Sequence, residues 1–229
     1  DIGEHRNLQF LIEGFYTKLN DTFVSTNEAP NKDGIAYSKR FNAKDGSVVK
    51  GINLELNASL GRKLTLQSGF TIQRSYFNNP SDNSIDNAVE NTQKDFKEYF
   101  RTPENYGYAT IAYSPARKWT LSLNGTYTGK MLIPYSGPLN PEYIDDNGTP
   151  NGFKTRVNES PNFWDLGCKV SKTFMLPRGI SVVVDAGMKN IFNEYQSDFD
   201  SGKDRDPGYI YGPAQPRTIF FGLKIGNLL

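Results

Sequence analysis

Apolar and polar side chains alternate along most of this chain. The pattern is sharpest after Val48, where Ile52, Leu54, Leu56, Ala58 and Leu60 point one way and Gly51, Asn53, Glu55, Asn57 and Ser59 the other. A period of two puts these sets on opposite faces of a β-strand. A tight Gly61-Arg62-Lys63 turn follows, and then Leu64, Leu66, Ser68, Phe70 and Ile72 oppose Thr65, Gln67, Gly69, Thr71 and Gln73. Antiparallel pairing through that turn sets Ile52 against Ile72, Leu54 against Phe70 and Asn57 beside Gln67. The last stretch, Arg217–Leu229, repeats the pattern, with Ile219, Phe221, Leu223 and Ile225 on one face and Thr218, Phe220, Gly222 and Lys224 on the other.

Further strands are expected at Leu8–Thr17, Tyr106–Ser114, Trp119–Thr128, Phe163–Phe174 and Ile180–Ile191. Ile35–Asn42 reads as a short strand or as the upper end of the next one. This gives about eight strands, counted by their alternation. The turns at Gly61–Lys63, Pro115–Lys118 and Met175–Gly179 are short. The connections Phe77–Asn105, Gly129–Pro161 and Phe192–Pro216 are long and polar, and the stretch from Asn20 to Gly34 also reads as a loop. Regular alternation of short and long connections puts all the long ones at one end of an antiparallel up-and-down meander. The fold class is therefore all-β, and residues 1–229 read as one architecture, because no Pro- or Ser-rich linker divides them.

Two architectures can absorb strands with one apolar face. In a soluble β-sandwich, for example a carbohydrate-binding module, the apolar faces of two sheets cover each other and the polar faces meet solvent. In a transmembrane β-barrel the apolar faces meet lipid and the polar faces line a lumen. The polar faces here carry many Gly, Ser and Asn, which suits a curved, hydrated wall. Aromatic residues fall at strand ends on the apolar side: Tyr113 and Trp119 flank a short turn, while Tyr16, Tyr127 and Trp164 lie near long loops. From Trp119 to Tyr127 is roughly 26 Å along a strand, or roughly 20 Å once tilted, close to the apolar band between two aromatic girdles. The barrel is the better reading.

The hairpin at Met175–Gly179 offers a register based on charge. With Leu166 opposite Met188 and Cys168 opposite Ala186 on the apolar face, Lys169 lies opposite Asp185 and Asp165 opposite Lys189 on the polar one. Two complementary pairs then come from one alignment.

Composition narrows the function. Lys+Arg number 26 and Asp+Glu 25, with no basic stripe, so nucleic acid is not an expected partner. The mean hydropathy of −0.58 excludes a helical membrane protein but not a barrel, whose lumen and loops dilute the value. Cys168 is the only cysteine, so no intrachain disulfide can form. The opening Asp1-Ile-Gly-Glu-His-Arg lacks a signal-peptide pattern, so the sequence is expected to begin after processing or partway along a longer protein.

Catalytic chemistry finds little support. The only histidine, His5, precedes the first strand, and Cys168 falls on the apolar face away from any base. No enzyme is expected, and no cofactor. Gly125-Thr-Tyr-Thr-Gly-Lys130 is one residue short of a phosphate loop and lacks the following hydroxyl residue. Asp198, Asp200, Asp204 and Asp206 could hold calcium, but Lys203 and Arg205 neutralise the run and its spacing is not that of an EF-hand, so no metal is expected. Tyr99, Tyr135, Tyr143, Tyr209 and Tyr211 fall in the long loops, where they are candidates for contact with a ligand.

Six blocks carry a resemblance: Glu13-Gly-Phe-Tyr-Thr, Gly51-Ile-Asn-Leu-Glu, Tyr127-Thr-Gly-Lys-Met, Lys189-Asn-Ile-Phe-Asn, Gly208-Tyr-Ile-Tyr-Gly-Pro and Pro216-Arg-Thr. In their order they resemble the C-terminal part of TonB-dependent outer-membrane receptors. The resemblance covers nearly the whole chain. It implies the last third or so of a barrel of about twenty-two strands, whose remainder and N-terminal plug would be partners. It further implies a bacterial outer-membrane location, contact with the lipid bilayer, and an inner-membrane energy-coupling complex acting through the plug. The imported substrate would be a scarce, large small-molecule or metal-chelate solute such as a ferric siderophore, haem or cobalamin. The ending Gly226-Asn-Leu-Leu departs from the terminal aromatic of many such barrels.

Overall fold

The computed structural model describes residues 6–27, 38–80, 96–138, 153–202 and 205–227. Eight long strands form one antiparallel sheet: β1 (Arg6–Leu19), β4 (Ser47–Leu60), β5 (Leu64–Phe77), β6 (Asn105–Tyr113), β7 (Trp119–Thr128), β10 (Phe163–Met175), β11 (Ile180–Lys189) and β12 (Thr218–Asn227). They pair in that order, and β1 and β12 are its outer strands. Four further strands make two separate hairpins, β2 (Phe23–Asn27) with β3 (Ser38–Asn42) and β8 (Leu132–Pro138) with β9 (Phe153–Glu159). Both hairpins stand at the long-connection end of the sheet.

The strand expectations hold for the meander and need correction in the loops. The stretch from Asn20 to Gly34 contains β2, and Gly129–Pro161 contains the β8–β9 hairpin. Neither shows clean alternation, and Pro134 and Pro138 within β8 are residues that strands tolerate only at edges. A two-stranded hairpin has nothing but edges, so the prolines are accommodated.

Register gives the main sheet two continuous faces. Ile52 lies opposite Ile72, Leu54 opposite Phe70 and Asn57 opposite Gln67, as the alternation requires. One apolar row runs Ile12, Leu54, Phe70, Gly107, Tyr127, Trp164 across six strands. The polar face carries matching rows, and in one of them Thr71 donates to Asn53 Oδ1 at 2.9 Å while Asn53 donates to Glu13 Oε2 at 3.1 Å. Small residues let large neighbours lie flat on the wall: a Cβ on Gly69 would stand 2.6 Å from the Tyr108 ring on the polar face.

No second sheet covers the apolar face among the described residues. Phe221 is 82% exposed, Leu223 68% and Phe10 62%, whereas the buried apolar residues sit at the long-connection end. A sandwich needs those faces packed together, and each such side chain left in water forgoes about 1.5–3 kcal/mol.

The β10–β11 hairpin corrects the charge-based register. Cys168 pairs with Met188, not Ala186, and Lys169 pairs with Gly187, not Asp185. Asp165 and Lys189 are likewise not opposite one another, since Lys189 lies beyond the Cys168–Met188 pair. Turn geometry decides the outcome. The expected alignment is symmetric about Pro177 and would set Leu176 opposite Arg178, too tight to close. The observed turn leaves Leu176–Ile180 as the connection, with the Leu176 amide donating to the Ile180 carbonyl at 2.8 Å and with Arg178 and Gly179 at φ 67° and 73°. Exposed charge pairs contribute only about 0–1 kcal/mol, too little to overrule a turn. In the observed register Ser171 donates to Asp185 Oδ1 at 2.5 Å, and the Phe220 ring lies where a Cβ on Gly187 would stand. A slip of two residues keeps each side chain on its face. Cys168 accordingly stays on the apolar side, between Leu123 and Met188.

Disulfide trapping reads this register directly. In a Cys168→Ser background, Ser171→Cys with Asp185→Cys should cross-link readily, while Lys169→Cys with Asp185→Cys should not, because a diagonal offset exceeds the Cα separation a disulfide spans.

Candidate ligand-facing site at the long-connection end

The segment 190–217 connects β11 to β12 and is held by its first residue. Asn190 is 1% exposed, and its Nδ2 donates to the carbonyls of Glu194 at 2.8 Å and Gln215 at 2.9 Å, while its Oδ1 accepts from the Glu194 amide at 2.8 Å. One side chain therefore ties both ends of a long connection together. Asn193 repeats the device, accepting from the Arg217 amide at 3.1 Å. Both asparagines take positive φ, 46° and 54°, a conformation asparagine tolerates better than most residues. This explains the Lys189-Asn-Ile-Phe-Asn block: its two asparagines fasten the loop to the start of the final strand.

Against this segment packs the β8–β9 hairpin. Ile133, Tyr135, Tyr209 and Tyr211 form a buried cluster, with Met131 and Phe163 partly buried beside it. The Tyr135 and Tyr209 rings meet edge to face at 4.8 Å between centroids, and Tyr209 and Tyr211 at 5.9 Å. Each buried phenol needs a partner for its hydroxyl. Tyr209 donates to Asp198 Oδ2 at 2.6 Å, Tyr211 donates to Asp198 Oδ1, and Tyr135 donates to Asp200 Oδ2 at 3.0 Å. Gln196 spans the backbone, donating to the Tyr209 carbonyl at 3.2 Å and accepting from the Tyr211 amide at 3.1 Å.

The carboxylates respond to this environment. Desolvation pushes the Asp198 carboxyl up, but the hydrogen bonds from Tyr209, Tyr211 and Gln196 together outweigh it and leave the group below its ordinary value. Asp200 is lowered as well, chiefly by the Asp206 amide that donates to it at 2.8 Å. Tyr211 is driven well above the usual phenol value by desolvation and by the neighbouring Asp198 charge, so it remains a donor at any physiological pH. The acidic run is thus engaged with tyrosines and backbone amides, and among the described residues no group of three His, Cys, Asp or Glu converges as a metal cage. Asp204 lies outside the described residues.

Arg101 joins a third connection to this body, donating from Nη2 to the Gly208 carbonyl at 2.5 Å, and its amide donates to the Leu132 carbonyl at 2.8 Å. Tyr99 is half-buried, meets the Phe77 ring in a tilted pair at 4.5 Å between centroids and donates to Ser47 Oγ at 2.5 Å. The structure therefore brings Tyr135, Tyr209 and Tyr211 together, places Tyr99 at a separate brace, and leaves Tyr143 outside the described residues. The loop aromatics of this segment that face outward are others: Phe192 at 62%, Tyr195 at 68% and Phe199 at 58% exposure. Their position within a polar stretch gave no signal to separate them from the buried tyrosines. Below the cluster, on the polar face of the sheet, a recess of about 650 Å³ is lined by Asn124, Asp165, Lys169, Lys189, Gln215 and Phe220 among others.

No family model matches the chain, and no curated protein matches it significantly. Among solved structures, the ferric-catecholate import receptor Fiu of E. coli K12, in its closed form, superposes with a TM-score of 0.54 at 17% identity, over 96% of this chain and 25% of that one. The fold is the one that this receptor shows over the matched quarter of its chain. The FpvAI receptor in its complex with pyocin S2 and the siderophore receptor PirA of Acinetobacter baumannii give TM-scores of 0.47 and 0.45, both at 12% identity, over 83% and 84% of this chain and 22% and 26% of theirs. The chain thus spans about a quarter of the length of the receptor barrels it matches, each counted with its full chain.

The Asn190 tie should dominate the order of the segment 190–217. Asn190→Ala removes three hydrogen bonds to buried backbone and should cost about 3 kcal/mol of local stability, read as roughly hundredfold faster amide exchange across the loop. Tyr209→Phe should cost only about 1 kcal/mol. Because the Asp198 carboxyl is lowered in the folded loop, its contribution is present above about pH 4 and is lost as pH falls through the folded value, so exchange in this segment should accelerate only below about pH 4.

Proposed function

We propose that this chain is the C-terminal wall of an outer-membrane active transporter that imports a scarce, large solute, with a ferric siderophore as the leading cargo and haem or cobalamin as the alternatives. The observation that carries this reading is the uncovered apolar face of an open eight-stranded sheet whose fold matches the wall of an import receptor. The cargo class rests on Fiu, which is named for ferric-catecholate import. The apolar face then meets lipid, the aromatic residues Tyr113, Trp119, Tyr127 and Trp164 mark the two edges of the apolar band, and the long connections lie on the extracellular side.

The polar face would line a lumen filled by a plug contributed from elsewhere in the protein. The recess bearing Asp165, Lys169 and Lys189 suits such a surface, since accessible charges of both signs next to hydroxyls and amides bind polar groups without committing to one. Energy would come from an inner-membrane complex pulling on that plug, so the wall residues perform no chemistry. Tyr99, Tyr135, Tyr209 and Tyr211 act on the ligand by shaping the loops, Tyr143 by contact, and the exposed Tyr195 and Phe199 supply further aromatic contact.

Spin labels at Leu54, Leu66, Leu121, Val184 and Leu223 in the intact protein should report lipid, whereas Asn57, Gln67 and Asn124 should report water. Equal water access on both faces would sink the membrane reading. Removing part of Gly129–Pro161, or changing Tyr195 and Phe199 together to Ala, should weaken capture of a ferric siderophore about tenfold or more while the barrel still assembles. Unchanged binding by an assembled variant would move the contact site elsewhere.

A further inference from the structure

The connection from β5 to β6 is fastened to β5 on both sides of a short outward turn. The Phe77 amide donates to the Lys97 carbonyl at 2.8 Å, the Tyr99 amide to the Ser75 carbonyl at 3.0 Å and the Gln73 amide to the Glu104 carbonyl at 2.7 Å. Arg101 lies in the turn between these ties with φ 57°, a left-handed conformation that residues other than glycine keep only where their surroundings hold them in it. Its amide donates to the Leu132 carbonyl of the β8–β9 hairpin at 2.8 Å. Its guanidinium donates from Nη2 to the Gly208 carbonyl at 2.5 Å and from Nη1 to the Ile210 carbonyl at 3.5 Å. One residue thus reaches two other connections from a segment that the main sheet holds. The outward aromatic side chains hang from the same stretch. Gln196 grips it through the Tyr209 carbonyl and the Tyr211 amide, and Tyr195 is the next residue in the chain. Phe199 stands between Asp198, which accepts from the Tyr209 and Tyr211 hydroxyls, and Asp200, which accepts from Tyr135. Tyr195 and Phe199 are therefore placed by whatever places residues 208–211.

We propose that Arg101 is a positioning residue for capture, whose guanidinium sets where the surface bearing Tyr195 and Phe199 stands relative to the main sheet. A guanidinium suits the task, because its planar fork donates to two carbonyls at once and so fixes orientation as well as distance, whereas an ammonium is a point donor. The left-handed backbone then has a cause: the amide and the side chain of one residue must reach two different connections. The link to capture rests on the function proposed above.

The test uses the full-length receptor with its native cysteines replaced, Cys168→Ser among them, and spin labels on Ser201→Cys in the loop and Leu66→Cys in the sheet. Electron spin resonance reads the distribution of distances between the labels, and binding of a ferric tricatecholate chelate reads capture. Arg101→Ala should at least double the width of the distribution and weaken capture about tenfold, the equivalent of one charge-assisted hydrogen bond. Arg101→Gly, which suits the left-handed turn but lacks the guanidinium, should behave as Arg101→Ala does, and Arg101→Lys should restore part of both properties. A width unchanged in Arg101→Ala overturns the proposal. So does Arg101→Gly with the unmodified width, since the turn alone would then hold the loop, and so does a doubled width with unchanged capture, which would make Arg101 a structural tie only. If the unmodified receptor captures no ferric tricatecholate, the leading cargo fails, and the widths of the three variants alone decide whether Arg101 places the loop.

Discussion

The constraint on which the structure depends is the pairing of every backbone amide and carbonyl in a wall only one strand thick. Within a bilayer no water can satisfy a loose group, so strands must run long, in register and unbroken. β1, β4 and β5 each run 14 residues, and their ladders pair residue for residue from end to end. Once the ladder is fixed, the two-residue period decides everything about the faces: apolar side chains go to one side and all strand carboxylates to the other. Stability does not come from an internal core. Under the proposed function it comes from what covers each face, lipid on one and the rest of a receptor on the other.

The long-connection end solves a different problem with different chemistry. Long connections cannot bury themselves by alternation, so this end uses polar side chains in fixed roles: Asn190 ties a loop to its own end, Arg101 joins two other connections, and Asp198 holds two tyrosine hydroxyls. Among the described residues these contacts bind parts of three connections into one body at that end of the sheet. Under the proposed function, loops held in this way suit capture, because a ligand then does not have to order them on binding.

Much of this could be read from residues alone, for one physical reason. Alternation is a strong signal where one face is apolar over many residues, as in β4 and β5, and there both strand bounds and partners followed from it. Parity survived even where register did not: Cys168 keeps its face although its partner is Met188. The register of β10 and β11 was misread because two charge pairs looked persuasive, while the information lay in Pro177, Arg178 and Gly179, whose backbone angles set where the hairpin closes. The tyrosines of the loops were legible as a group but not individually. Burial of Tyr209 and exposure of Tyr195 depend on contacts between segments far apart in sequence, and no local pattern encodes them.

The chain's two tryptophans offer the most direct test of the central claim, that the apolar face of this sheet meets lipid. Trp119 and Trp164 lie on that face at opposite ends of the apolar band. In the intact protein, with any other tryptophans changed to phenylalanine, both should be quenched by phospholipids brominated near the headgroup and protected from aqueous acrylamide. Strong quenching by acrylamide, with no response to brominated lipid at any depth, would contradict the account.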